Sequence, residues 1–262
     1  MGSATTQALA ASTQALAAAS GVSIDTAREL FAAARAVGDS SHLSGALADP
    51  SAPVEARQDV VSAVFGGYSQ NAQSVLRTVV AERWSSAAEL VDGIEELAIR
   101  ATAIAEPQAD IEADLFSFSR VIAANPELEL ALGSSLGGAE ARGALIERLL
   151  AGGVSTGTTL IVSSLVRQPR ERRIRQMLSR ATRIVADQGD RVVATVHTAK
   201  PLTDAQRTRL SAALSHRYDG NVSLNEVFDP AVVGGLRVQI ADDVIDGSIS
   251  ARLADLRQKL AG

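Results

Sequence analysis

The sequence predicts a mainly helical protein that ends in a small α+β module. Up to about residue 190 the apolar residues recur at helical spacing, and beyond it the spacing becomes that of strands. Of the 262 residues 46% are hydrophobic but only 3% are aromatic, so we expect a core of small aliphatic side chains. The change of spacing predicts a domain boundary near residue 190.

The first 105 residues are predicted to form a six-helix bundle. Glycine, proline and serine residues interrupt a helical pattern and leave helices at 4–20, 24–37, 41–48, 54–65, 70–83 and 86–105. Apolar residues such as Val75, Leu76 and Val79 give the fifth helix one buried stripe. Short helices with short connections are typical of a compact bundle.

Residues 106–190 are predicted to be a second helical segment that partly repeats the first. Leu30-Phe31 recurs as Leu115-Phe116, and Glu55-Ala56-Arg57 recurs as Glu140-Ala141-Arg142, each pair 85 residues apart. Gly66-Gly67 recurs as Gly152-Gly153, 86 residues on. Helices rich in Ala and Leu can share such triplets by chance, and glycine pairs can simply end helices. We favour partial duplication.

Residues 191–262 are predicted to form the α+β module. Strands are expected at 191–197, 221–228 and 236–240, with a helix at 203–217 that Thr203 can cap. The chain closes with an amphipathic helix, whose apolar stripe is Ile249, Leu253, Leu256 and Leu260.

Several function classes are disfavoured by composition and motifs. The chain has no cysteine and three histidines, and the usual phosphate-loop, zinc and serine-nucleophile motifs are absent, so we expect neither an enzyme nor a cofactor. Adjacent carboxylates such as Glu95-Glu96 and Asp242-Asp243 are expected in solvent or turns. No run approaches the roughly 18 apolar residues of a membrane span, which favours a cytosolic protein. The net charge of −5 argues against nucleic acid as the main partner.

Seven arginines crowd into 17 residues and form a candidate contact for an acidic partner or for lipid headgroups. They are Arg167, Arg170, Arg172, Arg173, Arg175, Arg180 and Arg183. Contact with RNA is a further option, although few aromatic residues lie nearby. The alternative is a solvated helix face whose arginine stems cover apolar neighbours.

The C-terminal segment carries a family resemblance. Asn221 to Val238 contains Asp229-Pro230 and Gly234-Gly235, and it is followed by Asp246-Gly247-Ser248 and then Arg252-Leu253-Ala254-Asp255-Leu256. In this order the pattern resembles the C-terminal signature of the ATP synthase delta subunit family, whose mitochondrial relative is the oligomycin-sensitivity-conferring protein. The signature residues are expected to be structural: an Asp-Pro turn, glycines with positive φ, and a cap for the last helix.

The resemblance implies a non-catalytic connector in the peripheral stalk of the F-type ATP synthase. It implies that the bundle of residues 1–105 binds N-termini of alpha subunits and that residues 191–262 bind the C-terminus of the b stalk. We expect Leu253, Leu256 and Leu260 to contact the stalk. The membrane association would be peripheral, at the cytoplasmic face of a bacterial cell membrane, and indirect through the complex.

This chain is longer than ordinary family members, and the excess corresponds to residues 106–190. We favour the first copy as the alpha-binding bundle, because the extra helix at 4–20 completes six helices only there. The alternative function is a helical RNA-binding or regulatory adaptor that uses the arginine-rich segment of residues 167–183.

Overall fold

The computed structural model describes residues 2–133, 138–232 and 234–253. The chain divides into two compact units, Met1–Val185 and Ala186–Gly262. The predicted segments 1–105 and 106–190 therefore share the first unit almost completely, and one hydrophobic cluster runs through both.

The first helical copy of unit one follows the predicted pattern closely. Its helices are α1 (Ser3–Ala18), α2 (Ile24–Gly38), α3 (Ser41–Ala48), α4 (Val54–Phe65), α5 (Gln70–Ala81) and α6 (Ala87–Ala105). Serine side chains accept hydrogen bonds from the first turns of α2, α3, α5 and α6, which explains why the first three begin where they were predicted to and α6 begins one residue later. Helices α1 and α5 each end two residues before their predicted ends.

The second copy repeats helices two to six of the first in the same order. It consists of α7 (Ile111–Ala124), α8 (Pro126–Gly133), α9 (Ala139–Leu150), α10 (Thr156–Arg167) and α11 (Ile174–Gln188). Core residues 85 positions apart are buried alike, as Val37 and Ile122 are, and as Leu47 and Leu132 are. The repetition therefore extends beyond the sequence triplets to the packing of the core.

Polar contacts between helices are repeated as well. Arg57 of α4 donates from Nη1 to the carbonyl oxygen of Glu82 at 3.1 Å. Arg142 of α9, 85 residues later, donates from Nη2 to the carbonyl oxygen of Arg167 at 3.4 Å and from Nε to that of Val166 at 2.8 Å. Both arginines are buried. Arg57 binds a carbonyl group at the end of α5, and Arg142 binds carbonyl groups at the end of α10.

A second repeated contact begins the fifth helix of each copy. Glu29 of α2 accepts a hydrogen bond from the backbone amide of Ser69 at 2.9 Å. In the second copy, Asp114 of α7 accepts from the backbone amide of Ser155 at 3.4 Å and from the Thr158 hydroxyl at 2.9 Å. A carboxylate on α2 thus fixes the start of α5, and a carboxylate on α7 fixes the start of α10.

Helix α6 serves both copies. It packs against α1 and α2 in the first copy and against α10 in the second. The contact of α6 with α10 corresponds to the contact of α1 with α5 in the first copy. Nearly every residue from Leu90 to Thr102 is therefore buried, including polar ones. The sixth helix of the first copy also occupies the place of a first helix in the second, so the expectation that six helices are complete only in the first copy is wrong.

The second unit is a four-stranded sheet with one helix. The strands β1 (Arg191–Thr198), β2 (Asn221–Phe228), β3 (Leu236–Ile240) and β4 (Asp243–Asp246) lie in the order β2-β1-β3-β4. Strands β1 and β2 are parallel and joined through α12 (Asp204–Tyr218), whereas the other two pairs are antiparallel. The helix and the sheet share a small core of their own. Strand β4 was not predicted, because four residues bounded by aspartates look like a turn.

Candidate functional site

The arginine-rich segment lies beside buried carboxylates of α6. Glu95 and Glu96 are 4% and 5% exposed, so the expectation that this pair is solvated is wrong. The reason is the double use of α6, which leaves this face of the helix against the second copy instead of water.

Glu95 is the centre of an ion-pair network, which we call the Glu95 network: Asp92, Glu95, Glu96, Arg100, Arg170, Arg172 and Arg180. Arg172 binds both oxygens of the Glu95 carboxylate, at 2.7 and 2.8 Å. Arg170 donates to the same carboxylate at 2.9 Å and Arg180 at 3.3 Å. Arg180 also donates to Glu96 at 3.0 Å. The network joins α6 to the connection between α10 and α11.

Burial alone would raise the pKa of the Glu95 carboxyl, since a charged group loses hydration. The hydrogen bonds from Arg172 and the charges of Arg172, Arg170 and Arg180 outweigh burial, and the pKa lies below its usual value. Arg172 shows the converse: burial lowers its pKa, but the Glu95 carboxylate outweighs this effect and the net pKa is raised. The pair is therefore charged on both sides at neutral pH.

The connection between α10 and α11 contains two consecutive residues in the left-handed region. Arg170 has φ 47° and Glu171 has φ 62°, which is uncommon for residues other than glycine. This turn directs the guanidinium of Arg170 to Asp92 at 2.7 Å as well as to Glu95. The ion pairs of the network thus hold a backbone conformation that would otherwise be unfavourable.

Five of the seven arginines bind carboxylates within unit one. Besides the three in the Glu95 network, Arg167 binds Glu140 and Glu147 at 3.2 and 2.8 Å, and Arg175 binds Glu129 at 2.9 Å. Arg173 and Arg183 are exposed and form no ion pair with any residue that the structure describes. The sequence located the cluster but could not show that most of it is committed to internal contacts.

The signature residues of the second unit form turns and a helix cap. The backbone amide of Ala231 donates to the Asp229 side chain at 2.9 Å, in a turn that Pro230 continues. Ser248 donates its amide to Asp246 at 2.9 Å, and its hydroxyl accepts from the amide of Ala251 at 3.1 Å. The hydrogen bonds that Asp246 accepts from the Ser248 side chain and from the Ser248 amide lower the pKa of the Asp246 carboxyl.

The glycine pair permits close backbone contact. Gly234 and Gly235 have φ of 67° and 79°, and a Cβ on Gly235 would lie 2.4 Å from the carbonyl oxygen of Gly247. The amide of Gly247 donates to the carbonyl oxygen of Leu236 at 2.9 Å. The Gly pair and the Asp-Gly-Ser segment therefore pack directly against one another.

The predicted stalk-contacting stripe is only partly described. Ile249 and Leu253 are 51% and 50% exposed, and residues 249–253 are helical. Leu256 and Leu260 lie outside the described residues. The part that the structure shows is an exposed apolar pair one helical turn apart.

The described residues show neither a membrane span nor a metal centre. No helix among them is long and apolar enough to cross a bilayer. They also contain no group of three or more histidine and carboxylate side chains that could hold a metal ion.

Comparison with known proteins assigns the family. The family model described as ATP synthase delta (OSCP) subunit matches residues 98–260. The chain is 47% identical to the ATP synthase subunit delta of Leifsonia xyli subsp. xyli, with 100% of each chain covered. The chain belongs to the ATP synthase delta (OSCP) family. Two further delta subunits are 38% identical in Streptomyces avermitilis, over 91% of this chain and 89% of that protein, and 36% identical in Thermobifida fusca, over 89% of each.

The family match also bears on the duplication. It begins within α6 and takes in the second copy and the sheet module, whereas residues 1–97 lie outside it. The Leifsonia relative nevertheless aligns over the whole chain. The expectation that residues 106–190 are the excess over ordinary family members is therefore wrong: they lie inside the family match, and the part outside it is residues 1–97, which the Leifsonia relative shares.

Proposed function

We propose that this chain is the non-catalytic connector of the peripheral stalk in an F-type ATP synthase, holding the catalytic head static against the rotor. The observation that carries the proposal is the full-length similarity to delta subunits together with an architecture of helical bundles followed by a small sheet module. The chain acts as a peripheral subunit at the cytoplasmic face of a bacterial cell membrane, bound through the complex.

The first copy is proposed to bind the N-terminal helices of alpha subunits. Helix α1 packs mainly against α5 and α6, and small residues such as Ala10 and Ala17 remain exposed on one face of it. Small side chains allow another helix to approach closely and bury its apolar stripe. In the second copy the equivalent helix is α6, which is already buried along most of its length. This difference favours residues 1–105 as the alpha-binding bundle.

The sheet module is proposed to bind the C-terminus of the b stalk through its closing helix. The exposed pair Ile249 and Leu253 begins the stripe that Leu256 and Leu260 continue in the sequence. An amphipathic stalk helix can bury these side chains at one-turn spacing.

The test uses the full-length chain and two synthetic peptides from the same organism, the alpha N-terminus and the b C-terminus. We expect Ala10→Glu/Ala17→Glu to weaken binding of the alpha peptide by at least about tenfold, because two carboxylates would be buried without partners. The b peptide should bind this variant as it binds the parent chain. Leu253→Asp/Leu256→Asp should show the reverse selectivity, so each variant is the folding control for the other.

Two results would contradict the proposal. One is that neither peptide binds the parent chain in titration calorimetry. The other is that both variants bind both peptides normally, which would place the contacts elsewhere.

A further inference from the structure

Each helical copy contains a cleft. In the first copy it lies between α3 and the connection from α5 to α6, and in the second between α8 and the connection from α10 to α11. In the first copy the cleft has a volume of about 550 Å³, and Gly45, Ala48 and Trp84 are among its lining residues. In the second copy it has a volume of about 900 Å³, with Leu130 and Gly133 at the positions 85 residues after Gly45 and Ala48. The duplication therefore provides two versions of one cleft, which can be compared directly.

The second cleft differs from the first in its chemistry. Its floor is apolar and includes Pro126, Leu130 and Ile174, and Leu130 remains 75% exposed although it lies on a helix of the bundle. Ser85, Ser86 and Ala87 line the wall of the first cleft together with Arg83, whereas the second cleft has Arg172, Arg173 and Arg175 together with Glu171. An exposed leucine in an apolar floor, within a lining that carries four arginines and two glutamates, is unusual for a surface that only contacts water.

The positive rim continues beyond the cleft along α11. A shallower groove of about 330 Å³ shares Arg173 and Arg175 with the cleft and reaches Arg183. From Arg175 to Arg183 the helix rises about 12 Å, slightly more than two turns. Arg173 and Arg183 have no ion-pair partner within the described part of the chain, whereas Arg175 is bound to Glu129 at the mouth of the cleft.

We propose that the second cleft and this groove bind an acidic amphipathic helix of another subunit of the complex. The partner's apolar side chains contact Leu130 and the floor, and its carboxylates, two to three turns apart, bind Arg173 and Arg183. Charge complementarity selects this partner, because Arg173 and Arg183, which have no ion-pair partner among the described residues, line one groove at a spacing that a second helix can match. The first cleft has one lining arginine, Arg83, against four in the second, and does not bind this partner. This inference rests on the proposed function, since the partner is a neighbour in the assembled ATP synthase.

The experiment uses single-cysteine variants, because the natural chain contains no cysteine. Gly133→Cys places a thiol at the second cleft, and Gly45→Cys places one at the first cleft, on the counterpart of the same helix, as the control. No heavy atom lies within 4 Å of a Cβ built at either glycine, so both cysteines can be accommodated. Each variant is labelled with benzophenone maleimide, incorporated into the purified ATP synthase and irradiated, and the adducts are identified by mass spectrometry.

We expect the Gly133 probe to capture a helical segment of another subunit that carries a net negative charge. Its yield should exceed that of the Gly45 probe by at least about tenfold, and Arg173→Glu/Arg183→Glu in the same chain should reduce it by a similar factor. Both arginines are exposed, so their reversal leaves the fold intact.

The inference is overturned by four results in a complex that contains the labelled chain. They are no protein adduct at Gly133, adducts to a neutral or basic segment or to phospholipid alone, equal yields from the two clefts, and a yield that ignores the charge reversal. In each of these cases the proposed function stands, because the chain is part of the complex. If instead the unlabelled parent chain does not co-purify with the ATP synthase, the proposed function fails, and this inference fails with it.

Discussion

Removing the charge of Glu95 should destabilise unit one by about 3 kcal/mol. Breaking a buried ion pair from one side costs about 3–5 kcal/mol, because the remaining charges lose their partner but stay desolvated. The Glu95 side chain is 6% exposed, whereas those of Arg170, Arg172 and Arg180 are 22–24% exposed. Water can partly hydrate the arginines after the change, which places the expected loss at the lower end of that range.

The variant is Glu95→Gln, which keeps the size of the side chain and removes only the charge. Urea unfolding can be followed by fluorescence of Trp84, the single tryptophan, which is buried in the first copy and donates to the carbonyl oxygen of Val79 at 2.8 Å. Its emission therefore reports on unit one and not on the sheet module. For a unit of this size, about 3 kcal/mol corresponds to a decrease of about 6–12 °C in the midpoint of thermal unfolding.

The control is Glu140→Gln, which also removes a carboxylate bound to an arginine. Its side chain is 84% exposed, so we expect a loss of about 1 kcal/mol or less. If Glu95→Gln costs less than about 1 kcal/mol, or no more than Glu140→Gln, then the network does not contribute as its burial requires and the reasoning is refuted.

Three further predictions concern Glu95, Gly235 and Ser155. The depressed pKa of Glu95 means that its contribution to stability is present above the ordinary glutamate pKa and is lost as the pH falls through the lower folded-state value, so acid titration of unfolding should be flatter in Glu95→Gln than in the parent. Gly235→Ala should destabilise the sheet module by at least about 2 kcal/mol, because both the positive φ of Gly235 and its contact with a carbonyl oxygen oppose a Cβ. Hydrogen exchange of β3 measures the loss. Gly220→Ala, whose Cβ would lie 3.8 Å from the nearest atom, should cost less. Ser155→Ala should cost about 1 kcal/mol in calorimetric unfolding, because α10 loses its N-cap; an unchanged transition would show that the cap is dispensable.

The secondary structure could be predicted closely because its signals are local. Serine caps and glycine or proline breaks lie within a few residues of the helix ends that they define, and the strands at 221–228 and 236–240 have the predicted bounds. The partners of Glu95 lie 75 to 85 residues away in the sequence. No periodicity of the sequence links Glu95 to these arginines, so the sequence could not distinguish arginines at the surface from arginines that pair inside the protein. The 85-residue offset was a usable signal, since applied to α1 it falls on α6 and indicates that α6 belongs to both copies.

Sharing α6 explains why the arginine-rich segment exists at all. As the last helix of a single bundle, α6 would direct Asp92, Glu95 and Glu96 to solvent, where they need no partner. The second copy packs onto that face and would leave the two glutamates desolvated, at a cost of several kcal/mol for each unpaired charge. Arg170 and Arg172 in the connection of α10 and α11, together with Arg180 on α11, remove this cost and bind the two copies together. Most of the cluster is therefore committed to holding the two copies together, and within the described residues Arg173 and Arg183 are the two arginines of the segment without an ion-pair partner.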